Sequence, residues 1–241
     1  MNYGTLFKTI QGYLENDFPS FVGVDSSGSG TATLTAKQQI DTFIRQAEQR
    51  IFNSVQFPYF RKNQTGTVTN GNKYLATPPG LNNNGDFLAV YELAVINPTT
   101  GDYEYLLDKD VSYIRASYSN PSTQGIPKYY ALFDENTLIL GPTPDANYTV
   151  ELHYFYYPES ITGTDVAPAS STNTTWLGNN FDSALLYGAL VEGYTYMKGE
   201  ADVIANYMKR YEEAMILAKR LGDGMERRDA YRSGQIRMSV N

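Results

Sequence analysis

Phe181-Asp-Ser-Ala-Leu-Leu-Tyr-Gly-Ala-Leu-Val-Glu-Gly-Tyr-Thr-Tyr-Met-Lys198 is followed, after Gly199, by Glu200-Ala-Asp-Val-Ile-Ala-Asn-Tyr-Met-Lys-Arg-Tyr-Glu-Glu-Ala-Met-Ile-Leu-Ala-Lys-Arg-Leu221. The two halves read as a helical hairpin with Gly199 as the cap between them. In the second half Ile204, Met208, Tyr211, Met215 and Ala218 form one apolar stripe at helical spacing, and Gly222 follows the last turn. Gly188 and Gly193 each weaken the first helix by about 1 kcal/mol relative to alanine, so close packing against another helix is the expected compensation. Two amphipathic helices cannot hide their stripes alone. A second helical pair must lie elsewhere in the chain.

The N-terminal third supplies it. Thr35 with Gln38 forms a capping box, after which Ile40, Phe43, Ile44, Ala47 and Ile51 mark one helical face and Pro58 closes the helix. Before it, residues 3–15 carry Leu6, Ile10, Tyr13 and Leu14 at amphipathic spacing. The Ser/Gly/Thr-rich stretch from Asp25 to Thr33 between these helices reads as a flexible loop.

From Gln64 to about Pro158 the apolar period falls from 3.6 to 2. Thr67–Thr69 and Lys73–Ala76 flank Asn70-Gly71-Asn72, which predicts a hairpin turn. Phe87–Ile96, Tyr103–Leu107, Val111–Arg115, Tyr129–Phe133, Thr137–Leu140 and Tyr148–Tyr157 read as further strands. Short strands with tight turns predict an antiparallel barrel or sandwich rather than a parallel sheet. The fold class is therefore α+β. A bundle of about four helices, residues 1–58 with 176–222, carries an inserted antiparallel β domain, residues 59–175, and ends in an extended arm, residues 223–241.

The arm cannot pack on itself. Ordering backbone costs roughly 1–2 kcal/mol per residue, and Met225, Tyr231, Ile236 and Met238 are too sparse to offset that unaided. It is either a frayed terminus or a docking strip in which those residues act with Arg227, Arg228, Arg232 and Arg237.

The whole chain of 241 residues carries −7 formally, with four arginines against three acids in residues 223–241, so the arm is +1 and the remainder −8. That balance argues against a free-standing nucleic-acid binder, which needs a basic face. The sequence has no cysteine, which removes disulfides, thiolate nucleophiles and thiolate metal sites. A single histidine, His153, lies between Glu151 and Phe155 on one predicted strand face; a zinc site would lack ligands, and a structural role is expected. The adjacent pairs Asp134–Glu135 and Glu212–Glu213 read as a turn and a solvated helix face rather than a catalytic pair, which needs two carboxyls in different environments across a cleft. No nucleophile elbow, phosphate loop or dinucleotide fingerprint occurs. No catalytic residue, metal or cofactor is expected. The N-terminus lacks the pattern of a signal peptide and no run approaches eighteen apolar residues, so no membrane association is expected. The 21 tyrosines, among them Tyr129, Tyr130, Tyr154, Tyr156, Tyr157, Tyr187, Tyr194, Tyr196, Tyr207 and Tyr211, exceed ordinary core needs and suggest subunit contact or sugar platforms.

Three segments in order, Leu34–Ile51, Asn136–Pro158 and Trp176–Tyr194 continuing through Lys209-Arg-Tyr-Glu-Glu213, resemble the head-to-tail adaptor proteins of tailed bacteriophages, especially the tubular adaptors of short-tailed phages. The resemblance implies a non-enzymatic virion protein, a helical bundle with a β domain assembled as a twelve-fold ring between the portal and the tail nozzle or tail tube. It implies further that residues Met225 to Val240 contact the portal, that the β domain points toward the tail, and that DNA passes through the lumen without specific binding. The protein would then sit at the head–tail interface of the virion after assembly in the host cytoplasm. Twelve copies at −7 would sum to −84, so their association would rest on apolar and aromatic contact, and acids lining the lumen would repel the phosphate backbone. Two other classes remain open on the residues alone: a carbohydrate-binding module using the β-region tyrosines, and an enzyme with an unrecognised carboxylate pair.

Overall fold

The computed structural model describes residues 1–24, 31–55, 57–78, 87–120, 122–163 and 169–236. The chain is mixed α and β and divides into two compact units, Met1–Pro58 with Glu159–Asn241, and Tyr59–Pro158.

The first unit is built on helices. Helix α1 (Tyr3–Leu14) begins where the Asn2 side chain accepts from the Thr5 N–H, and it buries Tyr3, Leu6, Ile10 and Leu14. Helix α2 (Ala36–Ser54) has the predicted capping box and buries the predicted stripe, with Asp41 and Glu48 buried in the same face. A short α4 (Trp176–Asn180) leads into α5 (Asp182–Tyr196), which turns back into α6 (Ala201–Ile236). Helix α5 is central: α1, α2, α4 and α6 all pack on it.

The two glycines of α5 are sites of close approach. A β-carbon on Gly188 would stand 3.0 Å from Ala47 Cβ of α2 and 3.2 Å from the Tyr211 ring of α6. One on Gly193 would stand 2.6 Å from the Leu14 side chain of α1. The compensation expected from sequence is therefore present, since removing the side chain lets α1, α2 and α6 close on one helix. Gly199 does not supply the left-handed residue of the α5–α6 turn; Lys198 does, at φ 56°. Gly199 is instead required for space, because a β-carbon there would fall within 2.3 Å of the Tyr194 ring.

Residues after Pro158 run back along this unit. The Ile161 N–H donates to Glu48 Oε1 at 3.0 Å and Arg45 Nε donates to Thr162 Oγ1 at 2.9 Å. Further on, the Gly4 and Tyr3 N–H groups donate to the carbonyls of Ser171 and Asn173.

Two departures from the sequence expectation occur in this unit. Strands β1 (Phe21–Val24) and β2 (Thr31–Leu34) pair antiparallel on either side of residues 25–30, so that Thr31–Thr33, expected to be loop, belongs to a strand; the Ser and Gly residues before it hid the β character of Thr31 and Thr33. Helix α6 also does not stop at Gly222. Its backbone remains helical to Ile236, because Gly222 and Gly224 cost only about 1 kcal/mol each and are followed by the helix formers Met225, Glu226, Arg227 and Arg228.

The second unit holds two four-stranded sheets, ordered β3-β10-β5-β6 and β4-β9-β8-β7. The strands are β3 (Arg61–Val68), β4 (Tyr74–Ala76), β5 (Phe87–Ile96), β6 (Tyr103–Tyr105), β7 (Leu107–Asp108), β8 (Tyr129–Asp134), β9 (Thr137–Gly141) and β10 (Tyr148–Tyr156). Val68, Leu93, Val95, Val150 and Leu152 from the first sheet meet Leu75, Tyr130, Leu138 and Leu140 from the second in one buried cluster. The strands of the two sheets are antiparallel except that β7 runs parallel to β8. Neither sheet closes on itself, so the barrel option is excluded.

The chain passes from sheet to sheet at β6–β7, where Leu106 is buried. It passes again at the Asn70–Asn72 turn, where Gly71 takes φ 75° and its N–H donates to the Pro144 carbonyl. That turn is therefore correctly placed, but its flanking strands join opposite sheets instead of pairing. The expected strand at Val111–Arg115 is helix α3 (Val111–Ser117), started by Asp110, whose carboxylate accepts from the Ser112 N–H at 2.7 Å. Here an N-cap outweighs the β propensity of Val, Tyr and Ile.

Candidate interaction surfaces

The conspicuous tyrosines divide between the interior and the surface, with Tyr157 and Tyr196 exposed. Tyr130, Tyr154 and Tyr211 are buried. Tyr207 of α6 gathers Tyr13, Tyr187 and Tyr194 at ring-centroid distances of 6.4, 6.3 and 5.6 Å, and burial, followed by these neighbours, pushes its hydroxyl pKa up. Tyr3 donates to Asp41 at 2.7 Å, while Lys37 holds the other oxygen of that carboxylate at 2.6 Å.

The expected structural roles of the acidic pairs hold geometrically. Asp134–Glu135 is at the β8–β9 turn, where Asp134 accepts from the Asn136 N–H, and Glu212 and Glu213 are exposed on α6. His153 stands edge-on to the Tyr91 ring, 5.1 Å between centroids. Among the described residues no group of three or more His, Asp or Glu could hold a metal ion. Among the same residues no helix is long and apolar enough to cross a membrane.

Around His153 the outer face of the β3-β10-β5-β6 sheet presents an aromatic and acidic surface that the sequence reading missed. The Arg61 guanidinium lies 3.9 Å from the Tyr91 ring centroid and 4.8 Å from that of Phe155. Glu151 accepts from Asn63 Nδ2, and the Tyr103 hydroxyl donates to the same carboxylate, which raises the tyrosine pKa. A depression of about 100 Å³ opens among Glu92, Glu151, His153, Tyr103 and Tyr105. Cross-strand pairing of Ile96 with Tyr103 and of Ala94 with Tyr105 is the signal that would have placed these tyrosines beside Glu151.

In the helical unit a groove of about 260 Å³ runs between α2 and α5, lined by Leu34, Phe43 and Tyr196 on its apolar side and by Thr42, Gln46 and Glu192 on its polar side. The Arg50–Glu192 ion pair bridges α2 and α5 beside it.

Elsewhere on α2 lies Glu48, 3 % exposed. Its Oε1 accepts from the Ile161 N–H, while its Oε2 is buried without a hydrogen-bond partner. Burial drives its pKa up to about 7, only partly offset by Ser160, the Ile161 N–H and Arg45. An acid in register with Ile40, Ile44 and Ile51 on an apolar stripe was the available sequence signal, and it went unread.

The eight residues expected to contact a partner fall at the end of the chain. Met225, Arg227, Arg228, Tyr231, Arg232 and Ile236 lie in the last turns of α6, while Arg237 and Met238 lie outside the described residues. The helical step of roughly 100° per residue brings positions 225, 228, 232 and 236 into one arc of roughly 80°. Helix α6 has 36 residues against 15 in α5, so its antiparallel partner can accompany less than half of it.

What these surfaces share is an abundance of exposed apolar and aromatic groups. A family profile matching residues 1–238 places the chain among the phage head–tail adaptors, which are structural virion proteins. The family is that of the SU10 adaptor protein, and the chain belongs to it. No curated protein matches the sequence. Membership implies a non-enzymatic role and interaction with portal and tail proteins.

Proposed function

We propose that this protein forms a ring, of twelve copies, that joins the portal vertex to the tail nozzle or tail tube and lines the DNA channel. In this reading the helices of residues 1–58 and 159–236 act as a bundle that carries an inserted β sandwich. The last turns of α6, with Met225, Arg227, Arg228, Tyr231, Arg232 and Ile236, and with Arg237 and Met238 beyond them, dock on the portal, and the β unit faces the tail. DNA passes without specific contact through a lumen kept acidic by the −7 charge of each copy. Assembly takes place in the host cytoplasm.

The observation that carries this reading is the length of α6 within a chain matched by an adaptor family along 238 residues. A helix that outruns its partner and carries Met225, Arg228, Arg232 and Ile236 in one arc gains stability where that arc meets a second surface. Deleting residues 223–241 therefore leaves a folded protein that no longer co-sediments with cognate portal. Undiminished co-sedimentation of the truncated chain refutes the portal assignment.

A second reading, a carbohydrate-binding module of a phage tail or cell-surface protein, rests on one observation. Tyr103 and Tyr105 are exposed and nearly parallel, at 25°, beside the Glu92 and Glu151 carboxylates. Glycan-array binding by the protein, lost on Tyr105→Ala, with no ring on the portal, would favour that reading.

A further inference from the structure

Among the described residues strand β3, eight residues long, pairs only with β10, and β4 only with β9. The two are consecutive in the chain, yet they form the facing edges of different sheets. Between them lies an open seam of about 170 Å³ whose floor is Leu75, Val150 and Leu152, with Gln64, Thr65, Gly66 and Thr77 on its rims. From Asn63 to Thr67 strand β3 is exposed, and its basic residues, Arg61 and Lys62, are confined to one end. A long exposed strand edge of this kind invites pairing with another strand, and proteins that keep one free usually blunt it with charge, proline or a bulge. The seam also contains an unmet bond. Thr77 is 6 % exposed, and its hydroxyl is buried without a partner, a state that costs free energy until a donor or acceptor arrives.

The same chain carries a surplus strand. Strands β1 and β2 make a two-stranded sheet that pairs with no other described strand, and such a hairpin is marginal in water unless packed. Its neighbouring residues Phe21 and Val22 point to opposite faces of the pleat and are 63 % and 61 % exposed. No single wall could bury both. A slot in which one side of the strand meets a core and the other meets a second surface could.

Resting on the ring reading above, we propose that the β3–β4 seam is an acceptor site for an extended strand and that the donor is the β1–β2 hairpin of a second copy. Strand addition to the β3 edge supplies backbone hydrogen bonds along Asn63–Thr67. It sets an apolar side chain over Val150 and Leu152, and it brings a backbone group to the Thr77 hydroxyl. Because acceptor and donor are different surfaces of one chain, the contact is head-to-tail and propagates around a ring.

The absence of cysteine makes the test clean. Copies carrying Val22→Cys are mixed with copies carrying Thr65→Cys, or Gln64→Cys to cover the other pleat face, assembled on cognate portal and oxidised. Disulfide-linked pairs are expected only in the mixtures and only after assembly. Rings by microscopy without linked pairs would overturn the strand exchange while leaving the ring reading intact; no rings and no linked pairs would overturn both. A chain carrying both cysteines that closes on itself, giving no linked pairs, would also overturn the exchange. As a second measurement, Phe21→Ser with Val22→Ser lowers ring yield at least tenfold and leaves the melting temperature of the unassembled protein unchanged. Undiminished ring yield would overturn the role of the hairpin.

Discussion

Replacing Glu48 by glutamine isolates the buried acid and gives a signed, pH-dependent outcome. In the folded protein the carboxyl has a pKa of about 7 against an ordinary 4.5. Below pH 4.5 the group is protonated in both folded and unfolded chains, and its stabilising preference for the neutral form is fully present. As pH rises from 4.5 through about 7 the unfolded chain ionises first, and that stability is lost. The difference between the two states amounts to about 3 kcal/mol. Glutamine keeps an oxygen for the Ile161 N–H and carries no charge at any pH, and its amide faces the position where Oε2 is without a partner.

Glu48→Gln and wild type should therefore melt within a few degrees of each other at pH 4.5. They should diverge progressively up to about pH 7.5, with the glutamine variant higher by roughly 6–12 °C at pH 8.5, taking about 2–4 °C per kcal/mol for a chain of this size. Differential scanning calorimetry of both proteins across that range measures the difference directly, and titration of all other groups cancels. Parallel melting curves at every pH, or a glutamine variant that is less stable at pH 8.5, would show that the acid is not held neutral by burial.

Three further outcomes follow from the packing. Gly193→Ala places a methyl 2.6 Å from Leu14 and should destabilise by about 1–3 kcal/mol through overpacking, whereas Gly12→Ala, with nothing within 4 Å, should stabilise α1 by up to about 1 kcal/mol; chemical denaturation of both that yields the same sign would contradict the account of α5. Asp110→Ala removes the side chain that caps α3 and should cost about 1 kcal/mol, read as a lower midpoint in urea; an unchanged midpoint would mean that packing alone holds α3. Tyr3→Phe deletes the hydroxyl that donates to Asp41 and should cost about 1–2 kcal/mol, and a variant as stable as wild type would show that Lys37 alone satisfies that carboxylate.

Helices and simple hairpins could be read from local pattern because their signals are local. The Thr35–Gln38 capping box and the Ile40–Ile51 stripe give α2 almost to the residue. Strands β8 and β9 flank an Asp-Glu-Asn turn as expected, and Gly188 and Gly193 announce the close helix contacts. What escaped depends on competition between distant parts. Val111-Ser-Tyr-Ile favours a strand by composition, and only the Asp110 cap and packing of Ile114 on Ala131 and Ile139 make it a helix. The Asn70–Asn72 turn specifies a reversal, but nothing local says that β3 and β4 will join different sheets. Gly222 looks like a stop because a helix normally ends where its packing partner does, and α6 continues for fourteen residues past it. At the C-terminal end a sparse apolar and arginine pattern was legible, though not the helical backbone that runs to Ile236. The Tyr103–Glu151 face was not, since it exists only once β5, β6 and β10 are in register.

The central claim is that this chain acts by assembling into a ring between portal and tail. Electron microscopy of the purified protein mixed with cognate portal tests it most directly. The account predicts a ring of twelve copies seated coaxially on the portal, with the last turns of α6 in contact with it. A protein that stays monomeric and unattached beside intact portals would contradict it.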